Sequence, residues 1–251
     1  MYQPLQRIFA IWVSNFDESL AWCLRTEAER RDIPLWYIPD VQHGLWTWRQ
    51  LELFCILSFP AKPLIRIPEI TPNAIVQALQ CGARGIMVPQ VFCEEQARSI
   101  VEYSYFPPMG RRSKGGTRFD NRWETMPTAE YFKEAKSIFI ILQIEDIKAI
   151  PQLNEIMSVE GIDGLFIGVE DLCLSHGSYG NVNKTSIPWD QPIVWEVAEK
   201  LEELSKKFGK CWGMPITPSL YQQKILNKAE RALFLAIGAG NCGLNDIKLF
   251  V

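Results

Sequence analysis

The sequence predicts an α/β chain folded as a single (β/α)8 TIM barrel spanning residues 1–251. Two observations lead there. Short apolar runs bounded by Pro, Gly or Asp recur, and segments with apolar residues at helical spacing separate them, as expected for consecutive βα units around a parallel sheet. Eight such runs can be counted, which fits a closed barrel better than an open doubly wound sheet.

In chain order the strand candidates are IFAIWV (8–13), PLWYIPD (34–40), KPLIRI (62–67), GIMVP (85–89), IFIILQIE (138–145), GLFIG (164–168), KCWGMPI (210–216) and ALFLAIG (232–238). Helical spacing follows in AIVQALQCG (74–82), EEQARSIVEY (94–103) and VWEVAEKLEELSKKFGK (194–210). One connection, about 106–136, is long for a compact domain and carries Arg111, Arg112, Lys114, Arg118 and Arg122. A loop of that length is usually functional: a lid, an anion-binding rim or a subunit contact.

Composition excludes several classes. With 47% hydrophobic residues, no run nears the roughly 20 apolar residues of a membrane span, and MYQPLQRIFAIWV lacks a signal-peptide pattern, so a cytoplasmic protein is expected. A net charge of −3 with dispersed Lys and Arg gives no basic stripe for nucleic acid, leaving small molecules as partners. No GxGxxG or GxxxxGK[ST] accompanies the strands, which removes the usual dinucleotide and P-loop readings. Seven cysteines, none in a CxxC pair, argue for reduced, mostly buried thiols, and the nine Trp for core and interface packing.

Barrel active sites lie at the carboxyl ends of the strands. Asp40 and His43 fall after the second strand, Arg66 at the end of the third, Gln143 and Glu145 at the end of the fifth, and Asp171 just beyond Gly168 after the sixth. Glu145 and Asp171, with backbone oxygens and water, suit a hard cation, Mg²⁺ or Mn²⁺ first, with Co²⁺ or Zn²⁺ as further candidates. Such a site leaves positions where a 2-oxo acid can chelate, and the cation stabilises the enolate of carbon–carbon cleavage. Arg66 has the forked donors for a carboxylate or enolate oxygen, and His43 is the natural proton carrier. Each also has a purely structural use. A strand-end carboxylate can cap a helix, a lone histidine can pack, and Arg66 can pair with Glu69 or Glu145.

The segments GARGIMVPQVFCEEQAR (82–98), YFPPMGRRS (105–113), ILQIED (141–146) and VEGIDGLFIGVEDLCLSHG (159–177) together resemble the HpcH/HpaI class II pyruvate aldolases. These include the hydroxy-oxo-heptanedioate and 2-keto-3-deoxy-rhamnonate aldolases. The resemblance implies a phosphoenolpyruvate/pyruvate-type barrel and a metal-dependent carbon–carbon lyase acting on a 2-oxo acid. It implies His43 as catalytic histidine, Arg66 as pyruvate-binding arginine, Glu145 and Asp171 as metal ligands, and Gln143 with the backbone near Gly168 as substrate-binding groups. It also implies a homo-oligomer, typically a hexamer that exchanges C-terminal helices.

The departures cluster around proton transfer. The family's Asp-x-Glu-His reads Asp40-Val41-Gln42-His43, and Gln80 stands where an aspartate commonly pairs with the histidine. Neutral amides cannot raise the basicity of His43 as carboxylates would. Glu170 adds a carboxylate beside Asp171, as an extra ligand, a base or an outward salt-bridge residue. Few residues follow ALFLAIG for the exchanged helix. Two alternatives to an aldolase therefore stand, a citrate-synthase-like carboligase and a non-catalytic barrel that binds a ligand or partner.

Overall fold

A computed structural model describes residues 8–179, 188–216 and 232–238. Its strands are β1 (Ile8–Val13), β2 (Trp36–Pro39), β3 (Lys62–Arg66), β4 (Gly85–Val88), β5 (Phe139–Ile144), β6 (Gly164–Ile167), β7 (Cys211–Pro215) and β8 (Ala232–Gly238). The helices are α1 (Glu18–Glu29), α2 (Trp48–Ser58), α3 (Pro72–Gln80), α4 (Glu94–Ser104), α5 (Thr128–Ala135), α6 (Leu153–Ser158), α7 (Val169–His176) and α8 (Pro192–Phe208). Every expected strand forms, one or two residues shorter at several ends. The fold is parallel α/β with a curled sheet whose strands follow chain order.

The described chain divides into two compact units. One comprises Ala10–Val88 with Arg98–Ile140; the other comprises Pro89–Ala97 and the described residues from Ile141 onward, with Ile8 and Phe9. In the first, β1 runs parallel to β2 with Ala10 opposite Trp36, β2 pairs with β3, and β3 pairs with β4 from Leu64–Gly85 to Arg66–Met87. In the second, β5 pairs with β6 from Ile141–Gly164 to Ile144–Ile167, β6 pairs with β7, and β7 pairs with β8. Strands covered on both faces need apolar residues at every position. That is why IMV of β4 and IIL (140–142) of β5 are buried throughout and read as continuous apolar runs.

Local chemistry sets the helix starts. Thr71 accepts the backbone N–H of Ala74 at 3.2 Å ahead of Pro72, and Thr47 forms a reciprocal capping box with Gln50 before α2. At the other end of α7, Gly177 takes a φ of 78°, a left-handed C-cap that a side chain would strain.

The 106–136 connection is not open loop. It holds a kinked 3-10 segment, Phe119–Glu124, and α5. Four of its five cations turn to nearby acids. Arg111 pairs with Glu102 at 2.9 Å, Arg112 with Asp120 at 2.9 Å, Arg122 with Glu134 at 3.2 Å and Lys114 with Glu124 at 3.8 Å. Of the readings that the sequence left open for this stretch, these pairings weigh against an anion-binding rim, because a cation with a carboxylate in reach offers less bare charge to a ligand.

Cys55, Cys81, Cys173 and Cys211 are buried and free, and burial pushes Cys81 and Cys211 up to about 12, so they remain thiols at neutral pH. Cys242 and the segment after 238 lie outside the described residues. Among the described residues no helix is long and apolar enough to cross a membrane.

Phe54 of α2 is fully buried and meets Tyr37 at 5.5 Å, Trp46 at 5.4 Å and Phe16 at 6.2 Å between ring centroids. This cluster seats α2 behind β2 and holds the segment that follows the strand. Phe54→Ala should destabilise by about 3–5 kcal/mol in urea unfolding, from lost transfer energy plus a cavity. A midpoint within error of wild type would show that the cluster does not hold this unit together.

Candidate functional site

The expected residues form two clusters, one in each unit. In the first unit, Asp40 follows β2 and Arg66 ends β3, joined by a parallel bridge. Arg66 donates from Nε to Asp40 Oδ1 at 2.9 Å and from Nη2 to Oδ2 at 2.7 Å, a bidentate pair with both side chains buried. Arg66 thus pairs with Asp40, and not with Glu69 or Glu145, the partners its sequence neighbourhood offered. Trp12 of β1 lies beneath the guanidinium, 4.5 Å from carbon to ring centroid, and its indole N–H reaches Asp40 Oδ2 at 3.3 Å.

Burial would raise the Asp40 carboxyl. The hydrogen bonds and charge of Arg66, the His43 backbone N–H at 3.1 Å and the Trp12 indole outweigh it and hold the carboxyl below its usual range. His43 is anchored to this pair through its main chain, with its side chain exposed in the turn. Gln42 Oε1 is buried without a hydrogen bond. Gln80 packs its amide against Gly115, where a Cβ would collide with it.

In the second unit, Gln143 and Glu145 stand at the end of β5, 3% and 5% exposed. Glu145 Oε1 accepts the backbone N–H of Gln90 at 2.8 Å, and Val91 N–H reaches the Gln143 carbonyl at 3.3 Å. Gln90 makes that bond from a left-handed backbone, φ 56°, uncommon without glycine. Gly168, buried ahead of α7, is a close-packed floor. A Cβ there would lie 2.5 Å from Glu145 Oε2 and 3.0 Å from Gln143 Nε2. Asp171 and Glu170 are exposed in the first turn of α7, where the helix dipole favours negative charge.

A short relay keeps these parts in register. Asp146 accepts from Ser175 Oγ at 3.0 Å and from Lys148 N–H at 2.9 Å, while Ser175 Oγ accepts from Ile147 N–H at 3.0 Å. The last turn of α7 is thereby tied to the residues just after Glu145. The Lys148 N–H is the main reason the Asp146 carboxyl sits below its usual range.

The second cluster fits a hard cation. Buried Gln143 Oε1 has no hydrogen-bond partner, and the Glu145 carboxylate packs so closely on Gly168 that a side chain there would displace it. Among the described residues no three His, Cys, Asp or Glu side chains gather as a cage, so carbonyl oxygens and water would complete any shell around Glu145 and Asp171. Sequence reading missed the Gln90 backbone donor, the Trp12 platform and the role of Asp40. A left-handed Gln in VPQ leaves no compositional signal, whereas Asp40 and Trp12 both stand at strand ends and could have been weighed.

A parallel α/β fold with its polar groups gathered at the carboxyl ends of the strands defines an enzyme class that works on small polar substrates. The profile of the HpcH/HpaI aldolase/citrate lyase family matches residues 52–232, and the chain belongs to that family. It is 32% identical over 208 residues to a hydroxypyruvate/pyruvate aldolase of Agrobacterium fabrum, covering 81% of this chain and 74% of that one. It is equally 32% identical over 207 residues to a 2-keto-3-deoxy-L-rhamnonate aldolase of Salmonella gallinarum, covering 81% and 73%. An HpcH/HpaI aldolase of Desulfitobacterium hafniense superposes with a TM-score of 0.78 at 23% identity, over 98% of this chain and 90% of that one. The CitE protein of Mycobacterium tuberculosis, solved with magnesium and acetoacetate, superposes at 0.58 with 11% identity, over 94% and 87%. The chain is thus an enzyme of an aldolase/lyase family, and that family is metal-dependent.

The depressed Asp40 carboxyl contributes stability that is present above its unfolded value, near 3.8, and is lost as pH falls through the lower folded value. Asp40→Asn leaves Arg66 buried without a counter-charge and should cost about 3–5 kcal/mol at pH 7. The gap to wild type should narrow steadily as pH drops below about 4. Urea unfolding at pH 7 and at several acid pH values tests this; a pH-independent gap would refute the assignment.

Proposed function

We propose that this chain is a divalent-metal-dependent aldolase that makes or breaks the bond beta to the carbonyl of a 2-oxo acid. The work would be done on one (β/α)8 barrel domain. The observation that carries the reading is the second cluster: a buried strand-end Glu145 set against Gln143 over a glycine floor, with Asp171 in the adjoining helix turn. The curated aldolase relatives support the same chemistry.

In this reading Glu145 and Asp171 hold Mg²⁺ or Mn²⁺. The cation, when bound, supplies the Lewis acidity that stabilises an enolate. The magnesium in the CitE structure supports the choice of a hard cation. Arg66, with Nε and Nη2 committed to Asp40, turns its remaining donors to the substrate carboxylate or enolate oxygen. Gln143 and the main chain at Gly168 bind the oxo acid. His43 takes the substrate hydroxyl proton as the carbon–carbon bond breaks and returns a proton to the methylene carbon of the enolate, which becomes the methyl group of the released 2-oxo acid.

Gln42, beside His43 in the chain, and Gln80, whose amide packs against Gly115, are neutral at positions where the family resemblance expects carboxylates. We place the protein in the cytoplasm as a homo-oligomer, as the family resemblance implies.

Methyl-proton exchange of pyruvate in D₂O with Mn²⁺ tests the enolate chemistry apart from any acceptor aldehyde. Glu145→Gln and Arg66→Ala should each slow exchange on the order of a hundredfold or more. Calorimetry should show weakened Mn²⁺ binding only for Glu145→Gln. Wild-type exchange rates in both variants would overturn the assignment.

A further inference from the structure

At the starting ends of β2, β3 and β5, wholly within the first unit, lies a cavity of about 630 Å³. Its size is that of a small-molecule site. It shares no residue with the strand-end clusters described above. Trp36, Phe119, Tyr131 and Phe139 line it together with Lys62.

The aromatic part of the wall is set before anything enters. Trp36 and Phe139, the first residues of β2 and β5, hold their rings 5.6 Å apart at 50°. Phe119 is pressed on Gly82, where a Cβ would lie 2.4 Å from the ring, and Gly82 itself holds a φ of 100°. Tyr131 is fixed by its hydroxyl, which donates to Asp120 Oδ2 at 2.6 Å. A ligand ring therefore meets surfaces that lose little freedom on contact.

The charges around the cavity leave one cation over. Arg84 is paired with Glu134 at 2.7 Å, and the buried Arg112 with Asp120 at 2.9 Å. Glu130 and Lys133, one of each sign, are exposed on α5. Lys62 is half-buried, with its ammonium 5.5 Å over the Trp36 ring and no carboxylate in ion-pair range among the described residues. Burial is the main reason its basicity is lowered, with the nearby Arg84 adding to it. An ammonium short of water and without a counter-charge is stabilised by an anion, and the rings beside it favour one that carries an apolar body.

We propose that this cavity binds a small aromatic monocarboxylate, with its carboxylate on Lys62 and its ring among Trp36, Phe119 and Phe139. One unpaired ammonium matches one negative charge. A phosphate dianion would find both buried arginines already committed to carboxylates and would leave the rings unused. A neutral aromatic compound would leave the ammonium unmet.

Calorimetric titration of the full chain with benzoate, phenylacetate and 3-phenylpropionate tests the assignment, with acetate, octanoate, benzyl alcohol and inorganic phosphate as controls. At least one of the three should bind saturably at millimolar concentration or below, about tenfold or more tighter than acetate or benzyl alcohol. It should also bind tighter than octanoate, whose chain has more freedom to lose. Lys62→Met should weaken that ligand about tenfold, and Lys62→Arg, which keeps the charge, should retain most of the affinity. If Lys62→Met does not fold, Lys62→Gln takes its place. No aromatic carboxylate binding at millimolar concentration, octanoate or phosphate binding as tightly, or full affinity once the charge of Lys62 is removed would each overturn the proposal.

Discussion

The buried pair between Asp40 and Arg66 is the constraint on which the first unit's strand ends depend. Two charges removed from water repay their desolvation only when geometry is good and their remaining donors and acceptors are used. Here both carboxylate oxygens meet the guanidinium, one also takes the His43 N–H and the other the Trp12 indole. Three consecutive strands therefore contribute to one polar knot. Because Nε and Nη2 are spent on Asp40 and Trp12 covers a face, the arginine has few directions left in which to donate. A side chain with several rotatable bonds becomes a fixed donor, so in its proposed binding role it would lose little further freedom when a ligand arrives.

The second unit solves a similar problem with backbone instead of charge. Glu145 is held by the N–H of Gln90, and that N–H is aimed by a left-handed residue that costs roughly 1–2 kcal/mol of local strain. Gly168 lets α7 start close against the carboxylate, and the Asp146–Ser175 contact keeps the helix from sliding. Strain, a missing Cβ and a side-chain relay would each be unremarkable alone. Their coincidence around one buried acid shows that its position is determined from several sides, which is the placement that the proposed role as a hard-cation ligand calls for.

The strands were legible because burial on both faces leaves a simple mark, an apolar run ended by Pro, Gly or Asp. The strand-end rule then brought His43, Arg66, Gln143, Glu145 and Asp171 into view without any coordinates. What stayed hidden depends on contacts distant in sequence. The partner of Arg66 is 26 residues away, and nothing local to LIRIPE names it. The cationic 106–136 stretch looked like an anion rim because composition counts charges without showing where they point. In the fold Arg112 turns inward to Asp120, and Arg122 crosses to Glu134 on α5. The Gln90 conformation had no signal at all, since its function is carried by a backbone N–H that every non-proline residue possesses.

β3 shows why the two ends of one strand can serve different purposes. Its interior, Pro63 to Ile65, is buried and apolar, so polar groups are admitted only at Lys62 and Arg66. Four residues of extended chain separate them by roughly 13 Å. Over that distance a well-packed strand behaves as a rigid spacer, because its neighbours β2 and β4 hold it through main-chain hydrogen bonds and its side chains have no room to rearrange. Changes in the electrostatics at Lys62 are therefore insulated from the Asp40–Arg66 knot by apolar packing, and a new group can be accommodated at the strand's start without disturbing the chemistry at its end.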